Sequence, residues 1–287
     1  MSVLVPLEDL LRFIREDAPW GDVTTDAVVP DITCRAAIRA KDRGIIAGLA
    51  EAQTLFEHFG VTVRARSADG RPVTSGEVVL DLAGPARAIL LVERTALNII
   101  GRMSGIATRT RAAVDVVQGL SPDIRVAATR KTAPGLRALD KKAVILGGGD
   151  PHRYTLSDMV LIKDNHLALV PLPEAIRRAK EQSLYRVVEV EVGVMSDAIM
   201  AAGAGADIIL LDNMTPDAVF ETVQALVERG LRERVTLEVS GNVAGGDIAR
   251  YAATGIDVIS MGALTHTVRN FDVSLDIVKG MSTVRIP

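Results

Sequence analysis

Apolar positions in this chain recur in two different periods, and the change of period divides it. Leu7, Leu10, Leu11 and Ile14 fall at helical spacing among Glu8, Asp9, Arg12 and Arg15, which predicts a short amphipathic helix. Strand-like runs follow at Thr33–Ala40, Ile45–Leu49, Val61–Arg66 and Glu77–Leu82, with a helical piece at Ala50–His58 between the second and third. Gly44, Asp69-Gly70 and Ser75-Gly76 punctuate them. Grouped strands without regular helix alternation predict an α+β domain with a largely antiparallel sheet. From Ala86 to about Gly119, Ile89, Val92, Ala96, Ile99, Ile100 and Met103 trace one helix face, and Arg94, Asn98 and Arg102 a polar stripe four residues apart.

After Ser121-Pro122 short Val/Ile/Leu runs alternate with helical patterns. The runs are Ile124–Ala128, Ala143–Leu146, Met159–Ile162, Val187–Val192, Asp207–Leu211, Val235–Val239 and Asp257–Met261. Apolar strands separated by helices imply a parallel sheet buried on both faces, and about seven of them point to an α/β barrel. An open doubly wound sheet is the alternative, though the glycine-rich turn it usually carries after its first strand is missing. Ala201–Asp207 and Ala252–Asp257 read as one helix–glycine–strand joint used twice. The tail, Val273–Val278, is strand-like and is expected to return to the first sheet. The boundaries expected are residues 1–112, joined by 271–287, for an N-terminal sandwich domain, and 113–270 for the barrel.

Each apolar run of the second part stops at a chemically capable group: Arg130 and Lys131, His152 and Arg153, Lys163, Glu191, Asp212, Ser240, Gly262. In parallel α/β barrels that end of the strands carries the active site. The three polar bursts between Thr129 and His166 supply two Arg, two Lys and two His (Arg130, Lys131, His152, Arg153, Lys163 and His166), the equipment for a phosphorylated or carboxylated small molecule. The chain as a whole is slightly acidic, with a formal net charge of −3 over 287 residues, so this is a local concentration of cations. That balance, with 3% aromatic residues, leaves no electrostatic footprint for nucleic acid. No apolar run approaches the roughly 18 residues that span a bilayer. The N-terminus has no basic start, and the single cysteine, Cys34, suits a reducing compartment, so a cytoplasmic protein is expected. The small endings Ser240-Gly241-Asn242 and Gly262-Ala263 suit backbone cradling of a phosphate. Glu189 and Glu191, two apart on one strand, point the same way, which leaves open which of them faces the site more directly.

The motifs Thr129-Arg-Lys-Thr-Ala-Pro-Gly-Leu-Arg137, Gly147-Gly-Gly-Asp-Pro-His-Arg153, Leu161-Ile-Lys-Asp-Asn-His166, Leu211-Asp-Asn-Met214 and Gly262-Ala-Leu-Thr-His266 together resemble the quinolinate phosphoribosyltransferase family. Trp20-Gly-Asp-Val-Thr-Thr25 and Glu93-Arg-Thr-Ala-Leu-Asn98 resemble its N-terminal part, so the likeness spans nearly the whole chain. It implies an α/β sandwich domain plus an open seven-stranded α/β barrel. It also implies a carboxylating transfer: quinolinate and phosphoribosyl pyrophosphate (PRPP) give nicotinate mononucleotide, pyrophosphate and CO2, with Mg²⁺, for de novo NAD synthesis. By resemblance Arg130, Lys131, His152, Arg153 and Lys163 line the quinolinate and pyrophosphate region. Arg94 reaches quinolinate from the partner subunit of a homodimer. Glu191 and Asp212 face the ribose or its Mg²⁺, and Ser240, Gly241, Asn242, Gly262 and Ala263 take the 5′-phosphate. Lys131, Lys163, Glu191 and Asp212 are the expected catalytic set. Asp150 stands near His152 where the family commonly has Asn directly before the His; a carboxylate there is unfavourable unless turned away or paired. Two further readings stay open: a related transferase for another pyridine or aromatic acid, and a non-catalytic anion-binding relative.

Overall fold

The computed structural model describes residues 5–241 and 247–278. The chain forms two units, Met1–Arg111 with Ala133–Gly148 and Thr267–Pro287, and Ala112–Thr132 with Gly149–His266. In order, its elements begin α1 (Leu7–Asp17), α2 (Val23–Val28), β1 (Thr33–Ala40), β2 (Gly44–Ile45), α3 (Leu49–His58), β3 (Thr62–Ala65), β4 (Pro72–Val73), β5 (Val78–Pro85) and α4 (Ala86–Leu120). There follow β6 (Arg125–Ala127), α5 (Arg137–Leu146), β7 (Val160–Ile162), α6 (Asp164–Leu167), α7 (Leu172–Gln182), β8 (Val188–Val192), α8 (Met195–Gly203) and β9 (Ile208–Asp212). The last are α9 (Pro216–Glu228), β10 (Thr236–Ser240), α10 (Ile248–Ala252), β11 (Val258–Ser260), α11 (Ala263–His266) and β12 (Val273–Ile277).

The first unit holds an antiparallel sheet in the order β12-β1-β5-β3. The tail strand pairs with β1 from Ala36↔Ile277 to Ala40↔Val273, as its alternation predicts. The expected strand Ile45–Leu49 stops after Ile45, because the Asp69 carboxylate accepts the Leu49 and Ala50 amides and caps α3 there. On α4 the apolar stripe from Ile89 to Met103 is buried, as its spacing requires.

One of the seven expected strands is a helix. Ala143–Leu146 is the last turn of α5, which belongs to the first unit rather than to the second. Four apolar residues are too few for the period to distinguish a strand from a buried helix turn. Ion pairs decide its place: Asp140 receives two hydrogen bonds from Arg102 on α4, at 2.7 and 2.9 Å, and Lys142 pairs with Glu51 on α3 at 2.6 Å. Asp140 is fully buried.

The second unit is built on a parallel sheet of six strands, in the order β6-β11-β10-β9-β8-β7. Outside β6 an isolated bridge, Ala127↔Asp150, follows the helix that replaces the expected strand Ala143–Leu146. The two sheet faces sort by residue parity. Val126, Ile162, Val188, Val190, Val192, Ile209, Leu211, Leu237, Val239 and Ile259 share one face and pack into a single apolar core with the surrounding helices. Pairing in register puts Glu189, Glu191, Leu210, Asp212, Glu238 and Ser240 on the other. β8 and β10 therefore alternate, while β9 is apolar on both faces from Ile208 to Leu211, as the short runs suggested.

The joint read twice in the sequence is built twice. Asp207 takes the Val188 amide on its carboxylate and donates its own amide to Val188 O, while Lys180 neutralises it at 2.6 Å. Asp257 does the same to Leu237, with Arg232 at 2.8 Å.

Candidate active site

The carboxyl ends of these strands carry the cations. Beyond β6 the chain turns through Thr129, whose hydroxyl accepts the Lys131 amide at 3.1 Å. Thr265 Oγ donates to Lys131 O at 2.9 Å and ties this turn to the one after β11. Gly262 lets them approach: a Cβ there would lie 2.9 Å from Lys131 Cδ and 3.1 Å from the His266 ring. Arg130 is half-buried, and its Nε–H is buried without an acceptor. Arg153 lies close enough that, after burial, the Arg130 charge is the next largest influence lowering its pKa.

Beyond β7, Lys163 Nζ binds Glu191 Oε2 from β8. The Lys163 amide donates to His166 Nδ1 at 2.9 Å, so His166 shapes the turn. Asp212 ends β9, and its carboxylate accepts Asn213 Nδ2 at 2.7 Å. The Asn213 amide donates to Ser240 O across to β10. Gly241 has φ +123, and a Cβ on it would fall 2.4 Å from Asn213 Oδ1, so the turn admits only glycine. Gly262 is buried and Ala263 half-buried at the end of β11. Asn242 lies outside the described residues. Arg94 belongs to the first unit, exposed on α4.

Asp150 is accounted for. Its carboxylate accepts the His152 amide at 2.7 Å and faces Arg125 at 3.5 Å, so it is paired.

His152 sits at φ 55, a left-handed conformation uncommon outside glycine. Its Nδ1 accepts the Arg153 amide at 2.7 Å. Its Nε2 lies 3.4 Å from Glu189 and 3.3 Å from Glu238, both buried, with Glu189 Oε1 and Oε2 and Glu238 Oε1 otherwise without partners. Burial lowers the proton affinity of the ring, but hydrogen bonds and charge from the two glutamates outweigh it and raise the pKa to about 9. Burial also raises the pKa of Glu189. The Arg153 amide at Nδ1 leaves Nε2 as the nitrogen that carries the ring proton.

The ligand atoms of these three residues lie within 4.8 Å of one another, a spacing that would surround a metal ion. The proton on Nε2 argues against it. A metal-bound imidazole donates from its free nitrogen, whereas here that nitrogen accepts. Glu238 was not singled out in the sequence. It lies two residues inside the strand end, and the signal was parity: Glu238 and Ser240 share a face, as do Glu189 and Glu191. The choice between the latter two is one of depth, with Glu191 reaching Lys163 and Glu189 fully buried beside His152.

Fold and site together define an α/β protein that gathers cations and carboxylates on one face at its strand ends. The chain belongs to the quinolinate phosphoribosyl transferase family: residues 106–276 match that family's C-terminal domain and residues 22–104 its N-terminal domain. A probable nicotinate-nucleotide pyrophosphorylase (carboxylating) from Methanothermobacter thermautotrophicus is 44% identical over 273 residues, 94% of this chain and 98% of the relative. The nicotinate-nucleotide pyrophosphorylase (carboxylating) of Mycobacterium leprae is 41% identical over 278 residues, 94% and 96% of the two chains. The solved nicotinate-nucleotide pyrophosphorylase from Francisella tularensis superposes with a TM-score of 0.88 at 33% identity, over 97% of this chain and 99% of that one.

Proposed function

We propose that this chain is a carboxylating phosphoribosyltransferase. It joins quinolinate to PRPP and releases nicotinate mononucleotide, pyrophosphate and CO2 in NAD biosynthesis. The observation that carries this at the level of the site is the pair Arg130 and Arg153, two crowded guanidiniums, one with a buried donor lacking an acceptor. Such a pair calls for an anion, and planar guanidinium groups match carboxylate and phosphate oxygens two at a time.

The reaction breaks the bond from the anomeric carbon to pyrophosphate, forms one to the pyridine nitrogen, and expels the neighbouring carboxyl group as CO2, the electron pair left on the ring carbon taking a proton from solvent. Arg130, Arg153 and Lys163 hold the two carboxylates of quinolinate, and Lys131 the departing pyrophosphate. Glu191 and Asp212 stand where positive charge develops on the ribose, and fixed carboxylates stabilise that charge. Ser240, Gly241, Asn242, Gly262 and Ala263 take the 5′-phosphate.

Glu191 and Asp212 offer carboxylate oxygens on one sheet face, a donor set that fits Mg²⁺. The ion would neutralise pyrophosphate charge, and these two residues would hold it. No described helix is long and apolar enough to cross a membrane. With one free cysteine, the protein is assigned to the cytoplasm.

The direct test follows CO2 and nicotinate mononucleotide together from quinolinate, PRPP and Mg²⁺, with nicotinate as a parallel substrate. Equal amounts of both products are expected from quinolinate, with loss of turnover on chelation. Background turnover with folded protein would refute the reading; turnover of nicotinate alone would move the substrate to a monoacid. We also place Arg94 across a homodimer interface. Arg94→Ala and Lys163→Ala proteins should each be inactive and recover part of the activity on subunit exchange. Exchange without recovery would remove Arg94 from the partner's site.

A further inference from the structure

We infer that His152 is a positioning residue, held by a buried carboxylate pair, Glu189 and Glu238, and holding in turn the backbone of Arg153. Both ring nitrogens are engaged within the protein: Nε2 donates toward Glu189 and Glu238, and Nδ1 accepts the Arg153 amide. The ring therefore reaches a bound diacid only through the arginine it fixes. The backbone at His152 is left-handed, and its imidazole meets the glutamates of the polar sheet face. The two glutamates sit on β8 and β10, one on each side of β9, so the ring is located by strands rather than by its own loop. Groups held by rigid elements keep the sub-ångström placement that binding needs. The Oε2 atoms of both buried glutamates face Nε2 and supply the reason to keep an imidazole donor here, because an apolar side chain would leave two buried carboxylates without it. Glu189 and Glu238 thereby become specificity residues for the diacid without touching it.

The inference rests on the reading of Arg153 as a quinolinate ligand, and one set of kinetics separates the two. Arg153→Ala should raise the quinolinate KM by about a hundredfold. Glu238→Ala, Glu189→Ala and His152→Asn should each raise it about tenfold, with the PRPP KM within about threefold of the parent. Glu238→Gln, which keeps an oxygen acceptor for Nε2–H, should recover most of the loss. The double variant His152→Asn/Glu238→Ala should be no worse than His152→Asn, because both remove one linkage. A parent-like quinolinate KM in Glu238→Ala beside a damaged Arg153→Ala would overturn the inference and leave Arg153 in the site. A parent-like Arg153→Ala would overturn both. Losses that multiply in the double variant, or that fall equally on both substrates, would mean a direct contact or a purely structural role and would also sink it. If Glu238→Ala does not fold, His152→Asn against Glu238→Gln and their double carries the same comparison.

Discussion

Lys163→Ala should lose about a thousandfold in kcat/KM with quinolinate while melting close to the parent. Lys163 stands at the end of β7 with its ammonium on Glu191, the carboxylate assigned to the ribose. Its removal acts twice. The substrate loses a cation, and Glu191 is freed from the partner that holds its rotamer, so a group meant for the developing ribose charge is also displaced. Loss of one preorganised electrostatic group costs about a hundred- to a thousandfold, and misplacing a second adds to it. Stability should change little, because the Lys163 side chain is 40% exposed and exposed pairs contribute about 0–1 kcal/mol. Steady-state kinetics beside a thermal melt checks both halves. Activity within threefold of the parent would mean that Lys163 serves only to neutralise Glu191.

Arg102→Ala should be the most destabilising single change in the first unit. Asp140 is fully buried and receives two hydrogen bonds from Arg102. Without the guanidinium its carboxylate must stay charged in an apolar place or take up a proton. Breaking such a pair from one side costs about 3–5 kcal/mol, enough to lower the melting midpoint by roughly 10 °C. The double change Arg102→Met/Asp140→Leu should recover much of this, because it removes the buried carboxylate together with its cation. A single variant that melts within 2 °C of the parent, or a double that is worse than the single, would contradict the account. The sequence placed Arg102 on a polar stripe with Arg94 and Asn98. Only its neighbour in space, 38 residues on, reveals a structural role.

The same contrast governs what else could be read from the chain. Strand ends were legible, since an apolar run that stops at Arg130, Lys163 or Asp212 states both its direction and its cargo. The tail strand was legible from alternation alone. Ala143–Leu146 was not, because what makes it helical and assigns it to the first unit is ion pairing with Glu51 and Arg102, distant in sequence. Glu238 escaped because attention to strand ends overlooks residues one step deeper. His152 could be marked as important but not understood, since its partners lie on two strands that no local pattern joins.

The twin aspartates Asp207 and Asp257 sit at the opposite, amino-terminal ends of the strands, five residues before Asp212 and Gly262. Each fixes the start of the preceding strand through both its amide and its carboxylate. A parallel strand that slips by one residue exchanges its two faces. Here such a slip in β8 would turn Glu189 and Glu191 into the apolar core and present Val188, Val190 and Val192 in their place; in β10 it would do the same to Glu238 and Ser240. These joints thus decide which face of β8 and β10 carries the carboxylates, so the amino-terminal ends of the strands guard what their carboxyl ends present.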